Sequence, residues 1–161
     1  MGPGPFEEVV REHAAVVMRV VRALLGPADA DDAWSATFLA ALEAYPRLRP
    51  GSNVGGWLVT IAHRKAVDVL RAGARSPVAT GPAPEDAWID DDGPVERDPA
   101  LWGALQSLPF KQRAAIVHHH LAGLPYAEVG ALVGSTEAAA RRAAADGLAR
   151  LRRAYERRAL P

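Results

Sequence analysis

The chain has 161 residues, 19 basic and 19 acidic side chains, a formal net charge of zero and no cysteine. That length allows one or two small domains, and the missing thiols exclude disulfides, thiol catalysis and cysteine-ligated zinc. Neutrality hides an uneven distribution: residues 1–75 sum to +1, residues 76–99 to −6 and residues 100–161 to +5, which suggests a polyanionic partner at the C-terminal end.

Apolar residues make up 49% of the chain, but much of that is alanine. Small helical cores with close helix contacts are therefore expected. No apolar run reaches the roughly 18 residues that a membrane span needs. The opening MGPGPFEE lacks a basic segment followed by an apolar one, so no secretory signal is expected and a cytoplasmic location fits.

Phe6 to Leu25 reads as one amphipathic helix, with Phe6, Val9, Val10, His13, Val17, Val20, Val21 and Leu24 at helical spacing. Gly26-Pro27 breaks it. A second helix is expected over Asp29–Ala44, with aspartates in its first turn where the macrodipole stabilises them. Capping explains Asp29, Asp31 and Asp32 without a metal. Trp34, Phe38, Leu39 and Leu42 are expected to face inward. Residues 46–56 read as a Pro/Gly/Ser/Asn loop. A third helix follows over Trp57–Arg75, with Trp57, Leu58, Ile61, Ala62, Val67 and Leu70 inside and His63, Arg64, Lys65 and Arg71 outside. There is no internal repeat.

Residues 76–99 hold five prolines, two glycines and seven acids. Such a stretch cannot bury enough surface to fold alone and reads as a connector. Its one apolar pair, Trp88-Ile89, is a candidate for docking on a neighbour.

Leu108 to Arg153 carries three helical patterns. Pro109 starts the first, with Ala114, Val117 and Leu121 as its inner stripe, and Gly123 ends it. Pro125 opens a short second helix facing inward with Tyr126, Val129 and Val133, closed by Gly134 where a left-handed residue is wanted. Ser135 or Thr136 caps the third, with Glu137 in its first turn. Its expected buried stripe is Ala140, Ala144, Leu148, Leu151 and Tyr155, which leaves Arg141, Arg142, Arg152 and Arg153 on the other face. Two helices joined by a tight Gly-containing turn, the second bearing free arginines, follow the helix-turn-helix plan for entering a major groove. An ordinary helical bundle with solvated arginines has the same pattern.

The segment LPFKQRAAIVHHHLAGLPYAEVGALVG resembles the C-terminal promoter-binding domain of extracytoplasmic-function sigma factors, in the sigma-70 family of bacterial RNA polymerase. The resemblance rests on Leu108-Pro109, Gln112-Arg113, Gly123-Leu124, Tyr126-Ala127-Glu128-Val129 and Gly134. A second block is similar to the same family: Asp29-Ala30-Asp31-Asp32 with Phe38-Leu39, then Trp57-Leu58, Ile61-Ala62, Ala66, Asp68 and Arg71. The two blocks stand in family order.

The resemblance implies an all-α fold of two small helical domains joined by the acidic Pro/Gly-rich connector. Residues 1–75 would be a region-2-like domain for core polymerase and the −10 element. Residues 76–99 would be the linker, and residues 100–161 a region-4-like helix-turn-helix domain for the −35 element. It implies polymerase contacts at Asp31, Asp32, Ser35, Thr37, Phe38 and Leu39. Contacts to the −10 element fall at Ser52, Asn53, Arg64, Lys65 and Arg71, with Ser52 and Asn53 in a loop that captures a flipped base. Contacts to the −35 element fall at Thr136, Arg141, Arg142 and Ala145. Core RNA polymerase and promoter DNA are the implied partners, with room for an anti-sigma factor and none for a membrane. In that family the acidic linker occupies the polymerase's RNA channel.

Three departures stand out. Ser35-Ala36 replaces the family's Gln-Glu, Arg64 replaces an asparagine, and Ala143 and Asp146 replace two arginines of the recognition helix. An aspartate facing phosphates is repulsive, and each lost phosphate contact weakens the salt-dependent part of binding. A second reading is therefore a sigma-like interaction protein that binds polymerase or another partner without reading a −35 element. No enzyme is expected, because no nucleophile, base and orienter group together. No cofactor or metal is expected either: neighbours His118, His119 and His120 point about 100° apart on a helix and cannot share one ion.

Overall fold

The structure, a computed structural model, describes residues 4–75 and 98–159. Trp88 and Ile89 lie outside the described residues. Among the described residues, seven α-helices run in the order α1 (Phe6–Leu25), α2 (Pro27–Ala44), α3 (Val54–Arg75), α4 (Pro99–Gln106), α5 (Phe110–Ile116), α6 (Tyr126–Leu132) and α7 (Glu137–Ala159). A 3₁₀ turn, Tyr45–Arg47, follows α2, and a π turn, Val117–Leu121, extends α5. No strand occurs among the described residues, and none of their helices is long and apolar enough to cross a membrane.

The all-α expectation holds. In the N-terminal half α1 has the expected bounds, and α2 starts two residues early because Pro27 supplies its first-turn φ. Gly26, at φ 86°, makes the sharp joint between them. Aromatic rings fill the space around α1, α2 and α3: Trp34–Phe38 centroids are 4.6 Å apart and Phe6–Tyr45 centroids 5.2 Å. The Trp34 indole donates to the Ala14 carbonyl at 3.0 Å, so its polar edge is satisfied while its body packs.

Three inward assignments are corrected here. α2 buries Ala30, Ala33, Thr37, Phe38 and Ala41, a stripe that rotates Leu39 and Leu42 outward to 64% and 50% exposure. Apolar side chains, many of them alanine, are spread over several faces of α2, so spacing alone did not say which face docks. Leu70 is exposed beside Arg71, Ala72 and Gly73 near the end of α3. α3 also begins three residues before Trp57. The Asn53 side-chain carbonyl accepts from the Gly56 amide at 3.1 Å, an N-cap that draws Gly55 and Gly56 into the first turn.

In the C-terminal half α4 was not foreseen. Asp98 caps it, one carboxylate oxygen accepting from the amides of Ala100 and Leu101 at 3.0 and 3.3 Å. Its other oxygen accepts from the Tyr155 hydroxyl of α7 at 2.7 Å, and this bond raises the Tyr155 pKa above its ordinary value.

The expected stripe of α7 is shifted. Ala140, Ala144, Gly147 and Ala154 are buried, whereas Leu148 is exposed and Tyr155 only half-buried. α5 approaches so closely that a Cβ on Gly147 would sit 2.8 Å from Ile116 Cδ1, and only small residues fit that line. Leu121 is likewise exposed. The π turn adds one residue, seen in the Ala122 amide bonding back five positions to Val117 at 3.1 Å. Ala122 thus takes the inward place that an uninterrupted α-helix would give Leu121.

The halves share a core. Val20, Ala23, Leu24 and Ala66 of the first half pack with Trp102, Leu105, Leu108, Ala114, Ile116 and Val117 of the second. Val59 joins Ala115, Leu124, Val129, Ala140 and Ala144.

Candidate nucleic-acid and polymerase interfaces

The helix-turn-helix is built as its sequence implied. Gly134, at φ 71°, ends α6, and the Ser135 amide reaches back to the Gly130 carbonyl at 2.7 Å. Gly130 is essential to the turn: a Cβ there would lie 2.7 Å from the Thr136 backbone. Thr136 caps α7, its hydroxyl accepting from the Ala139 amide at 3.0 Å.

Thr136, Arg141, Arg142 and Ala145 are all exposed, and so is Asp146. Arg141 is not loose. It pairs with Glu137 at 3.0 Å and its guanidinium lies 4.8 Å from the centroid of the Tyr126 ring. Tyr126 in turn stacks on His119, with centroids 3.8 Å apart, and His119 Nδ1 donates to the Leu124 carbonyl at 2.8 Å. This His119–Tyr126–Arg141 stack was not foreseen. The family-like Tyr126 and the arginine lie on different helices, and no short-range spacing joins them.

On the first half, Asn53, Arg64 and Arg71 are exposed, while Ser52 and Lys65 are half-buried. The Ser52 hydroxyl donates to the Arg49 carbonyl at 2.6 Å. Two grooves run along α3. One, of about 470 Å³, has Asn53, Trp57, Thr60 and Arg64 on one wall and Leu124, Glu128 and Leu132 on the other. The second, of about 410 Å³, joins Arg64, Asp68 and Arg71 to Lys111 and Gly134. His63, expected outside, is instead buried between the halves and hydrogen-bonded to His118.

On α2, Asp31, Asp32, Ser35 and Leu39 are exposed, but Thr37 and Phe38 are buried. The Thr37 hydroxyl donates to the Ala33 carbonyl at 2.7 Å, which completes its hydrogen bonding inside the helix.

Residues 9–76 match the family described as Sigma-70 region 2, and residues 99–151 match Sigma-70, region 4. The chain belongs to the sigma-70 family. Among its relatives is the RNA polymerase sigma factor CarQ of Myxococcus xanthus, 36% identical over 155 residues, covering 91% of this chain and 87% of that one. The extracytoplasmic-function sigma factor SigD of Mycobacterium tuberculosis is 32% identical over 159 residues, covering 91% and 75%. The fold is similar to that of the sigma factor RpoE in complex with the anti-sigma factor NepR from Bartonella quintana. There the TM-score is 0.76 at 21% identity, covering 94% of this chain and 96% of that one. CnrH in complex with the cytosolic domain of CnrY gives 0.63 at 23% identity, covering 91% and 84%.

This sigma factor is therefore a promoter-specific transcription initiation factor whose partners are core RNA polymerase and promoter DNA. Its Arg113 has a role that the sequence did not reveal. The side chain is buried and donates to the carbonyls of Leu24 at the end of α1 and Leu108, the latter at 3.0 Å. Gln106 adds a bond to the Ala23 carbonyl at 2.8 Å. A cation on the carbonyl end of α1 is favoured by the helix dipole, while burial lowers the Arg113 pKa from its ordinary value.

Proposed function

We propose that this sigma factor docks on core polymerase through the exposed face of α2, with Asp31, Asp32, Ser35 and Leu39 in contact and Thr37 and Phe38 supporting them from the core. Residues 1–75 serve as the region-2 domain, 76–99 as the linker and 100–161 as the region-4 domain, an assignment supported by the two family matches. Ser52, Asn53, Arg64, Lys65 and Arg71 read the −10 element, and Thr136, Arg141, Arg142 and Ala145 contact the −35 element. The protein works by binding alone, with no reaction of its own, and its site of action is the cytoplasm. An anti-sigma factor is a further partner in this proposal.

The observation that carries the reading is exposure: on α2, α3 and α7 most of these positions face solvent while their helix neighbours form the core. A leucine 64% exposed on the helix that also exposes Asp31 and Asp32 is what a mixed apolar and charged partner surface covers. The −10 contacts are the stronger of the two in this proposal. Arg141 is already engaged by Glu137 and Tyr126, and Asp146 repels phosphate.

Run-off transcription with purified core polymerase on genomic promoter fragments tests this. The full chain should give start-site-specific transcripts. Asn53→Ala with Arg64→Ala should lose them more completely than Arg141→Ala with Arg142→Ala, and Asp32→Arg with Leu39→Arg should abolish core binding with helicity unchanged. Core binding without any specific transcript would favour the interaction-protein reading, to which the restrained Arg141 and exposed Asp146 also point.

A further inference from the structure

Between the two halves of the chain lies a pair of hydrogen-bonded, buried imidazoles. His63 Nδ1 on α3 lies 2.8 Å from His118 Nε2 in the π turn. His118 is fully buried and His63 is 6% exposed. Phe110 covers one side of the pair, its ring centroid 5.8 Å from that of His63. The second ring nitrogen of His118, Nδ1, is buried with no hydrogen-bond partner.

Two neutral imidazoles satisfy this contact, one nitrogen donating and the other accepting. Two imidazoliums cannot, because both facing nitrogens then carry hydrogen. A single added proton puts a charge into an apolar seam. The flanking grooves bring Arg64, Asp68 and Arg71 of α3, Lys111 of α5 and Glu128 of α6 near the pair, three cations against two carboxylates. Behind it, α1 contributes Val16 and Val20, with His13 in the cleft near Gly55. Among the described residues neither carboxylate bonds to either ring.

We propose that the His63–His118 contact is a proton-sensitive latch that holds the two halves closed, and that acidification releases it. Burial lowers the His118 pKa to about 3, with His63 adding to the effect. Burial, then Arg64, lowers that of His63. In an open chain both rings return to an ordinary value of about 6.5. The open form thus binds more protons, so the latch's contribution is complete above that value and is lost as pH falls below it.

The consequence for promoters rests on the sigma reading. The −10 and −35 elements, about 25 base pairs apart by position, lie roughly 85 Å apart along B-form DNA. A compact chain of this size has a radius of gyration of about 15 Å. The closed form cannot hold both elements, so release of the latch raises the fraction able to do so.

The test uses the full chain. Amide hydrogen exchange at the seam, corrected for its intrinsic pH dependence, reads the opening constant even when the open form is rare. His118 returning to its ordinary value should by itself raise that constant about ten-fold between pH 7.5 and 5.5, and His63 should raise it further. His63→Asn with His118→Gln keeps an amide at each bonding position without titration and should respond less than about threefold. His120→Gln, at an exposed position, should respond as the unsubstituted chain does.

A flat response in the unsubstituted chain, or an equal response in the His63/His118 variant, overturns the latch. Should that variant misfold by circular dichroism, ring titration by NMR on the unsubstituted chain decides. Rings of His63 and His118 that stay neutral well below pH 6 support it, and ordinary titration of both overturns it. Polymerase and promoter enter none of these readouts, so failure of the latch and failure of the sigma reading are told apart.

Discussion

The two halves of the molecule solve the packing of short helices in opposite ways. Around α1–α3 the space between helices is filled by rings, Phe6, Trp34, Phe38, Tyr45 and Trp57. In the α5–α7 assembly the helices are brought together until small residues suffice, with Gly130, Ala140, Ala144, Gly147 and Ala154 along the contact lines. Large side chains tolerate some adjustment by repacking. Backbone-close contacts do not, because the atom that would have to move is main chain. The N-terminal half should therefore be most sensitive to losing volume and the C-terminal half to gaining it.

The largest expected effect is on the ring-filled side. Phe38 is 6% exposed and touches Phe6 and Trp34, so Phe38→Ala should cost about 3–5 kcal/mol. A urea midpoint shift corresponding to less than about 1 kcal/mol would break the contrast. Next comes Gly130→Ala, where the new Cβ meets the Thr136 backbone at 2.7 Å. Overpacking should cost about 1–3 kcal/mol despite the better helix propensity of alanine, and DNA affinity should fall with it as α7 tilts. The smallest effect is expected at Gly147→Ala. There the nearest atom is the side-chain end of Ile116 rather than main chain, at 2.8 Å, and a gain of about 1 kcal/mol in helix propensity offsets much of the crowding. A loss at Gly147 as large as that at Gly130 would show that helix approach itself, rather than contact with main chain, sets the sensitivity.

Much of the architecture was readable because it depends on local chemistry. Apolar spacing gave α1 to the residue, and Gly134 and Thr136 marked the turn and cap of the helix-turn-helix. The failures share a cause. Leu39, Leu42, Leu121 and Leu148 are leucines at helical spacing that face solvent, because periodicity names a stripe but not the depth to which a neighbour covers it. The seam between the halves was illegible for a stronger reason. His63 with His118, and Arg113 with Leu24, are 55 and 89 positions apart, and nothing short-range links them. For the candidate sites, the resemblance gave positions on α2, α3 and α7. Only the fold separated Leu39, which is exposed, from Thr37, whose hydroxyl is spent on its own helix. α4 was a missed opportunity: Asp98-Pro99 before an apolar run is a helix start that the acidic composition of its surroundings concealed.

Asp98 also bears on how this sequence can drift. Counted as charge, it is one of seven acids between residues 76 and 99, and any of them could be exchanged for another with the same net effect. Counted as geometry, it has two fixed tasks: one oxygen holds the first turn of α4 while the other receives the phenol of α7, 57 positions away. Glutamate keeps the charge but moves both oxygens. A library of variants should thus show an abrupt edge at this residue, where selection on the acidity of a segment gives way to selection on the placement of two atoms.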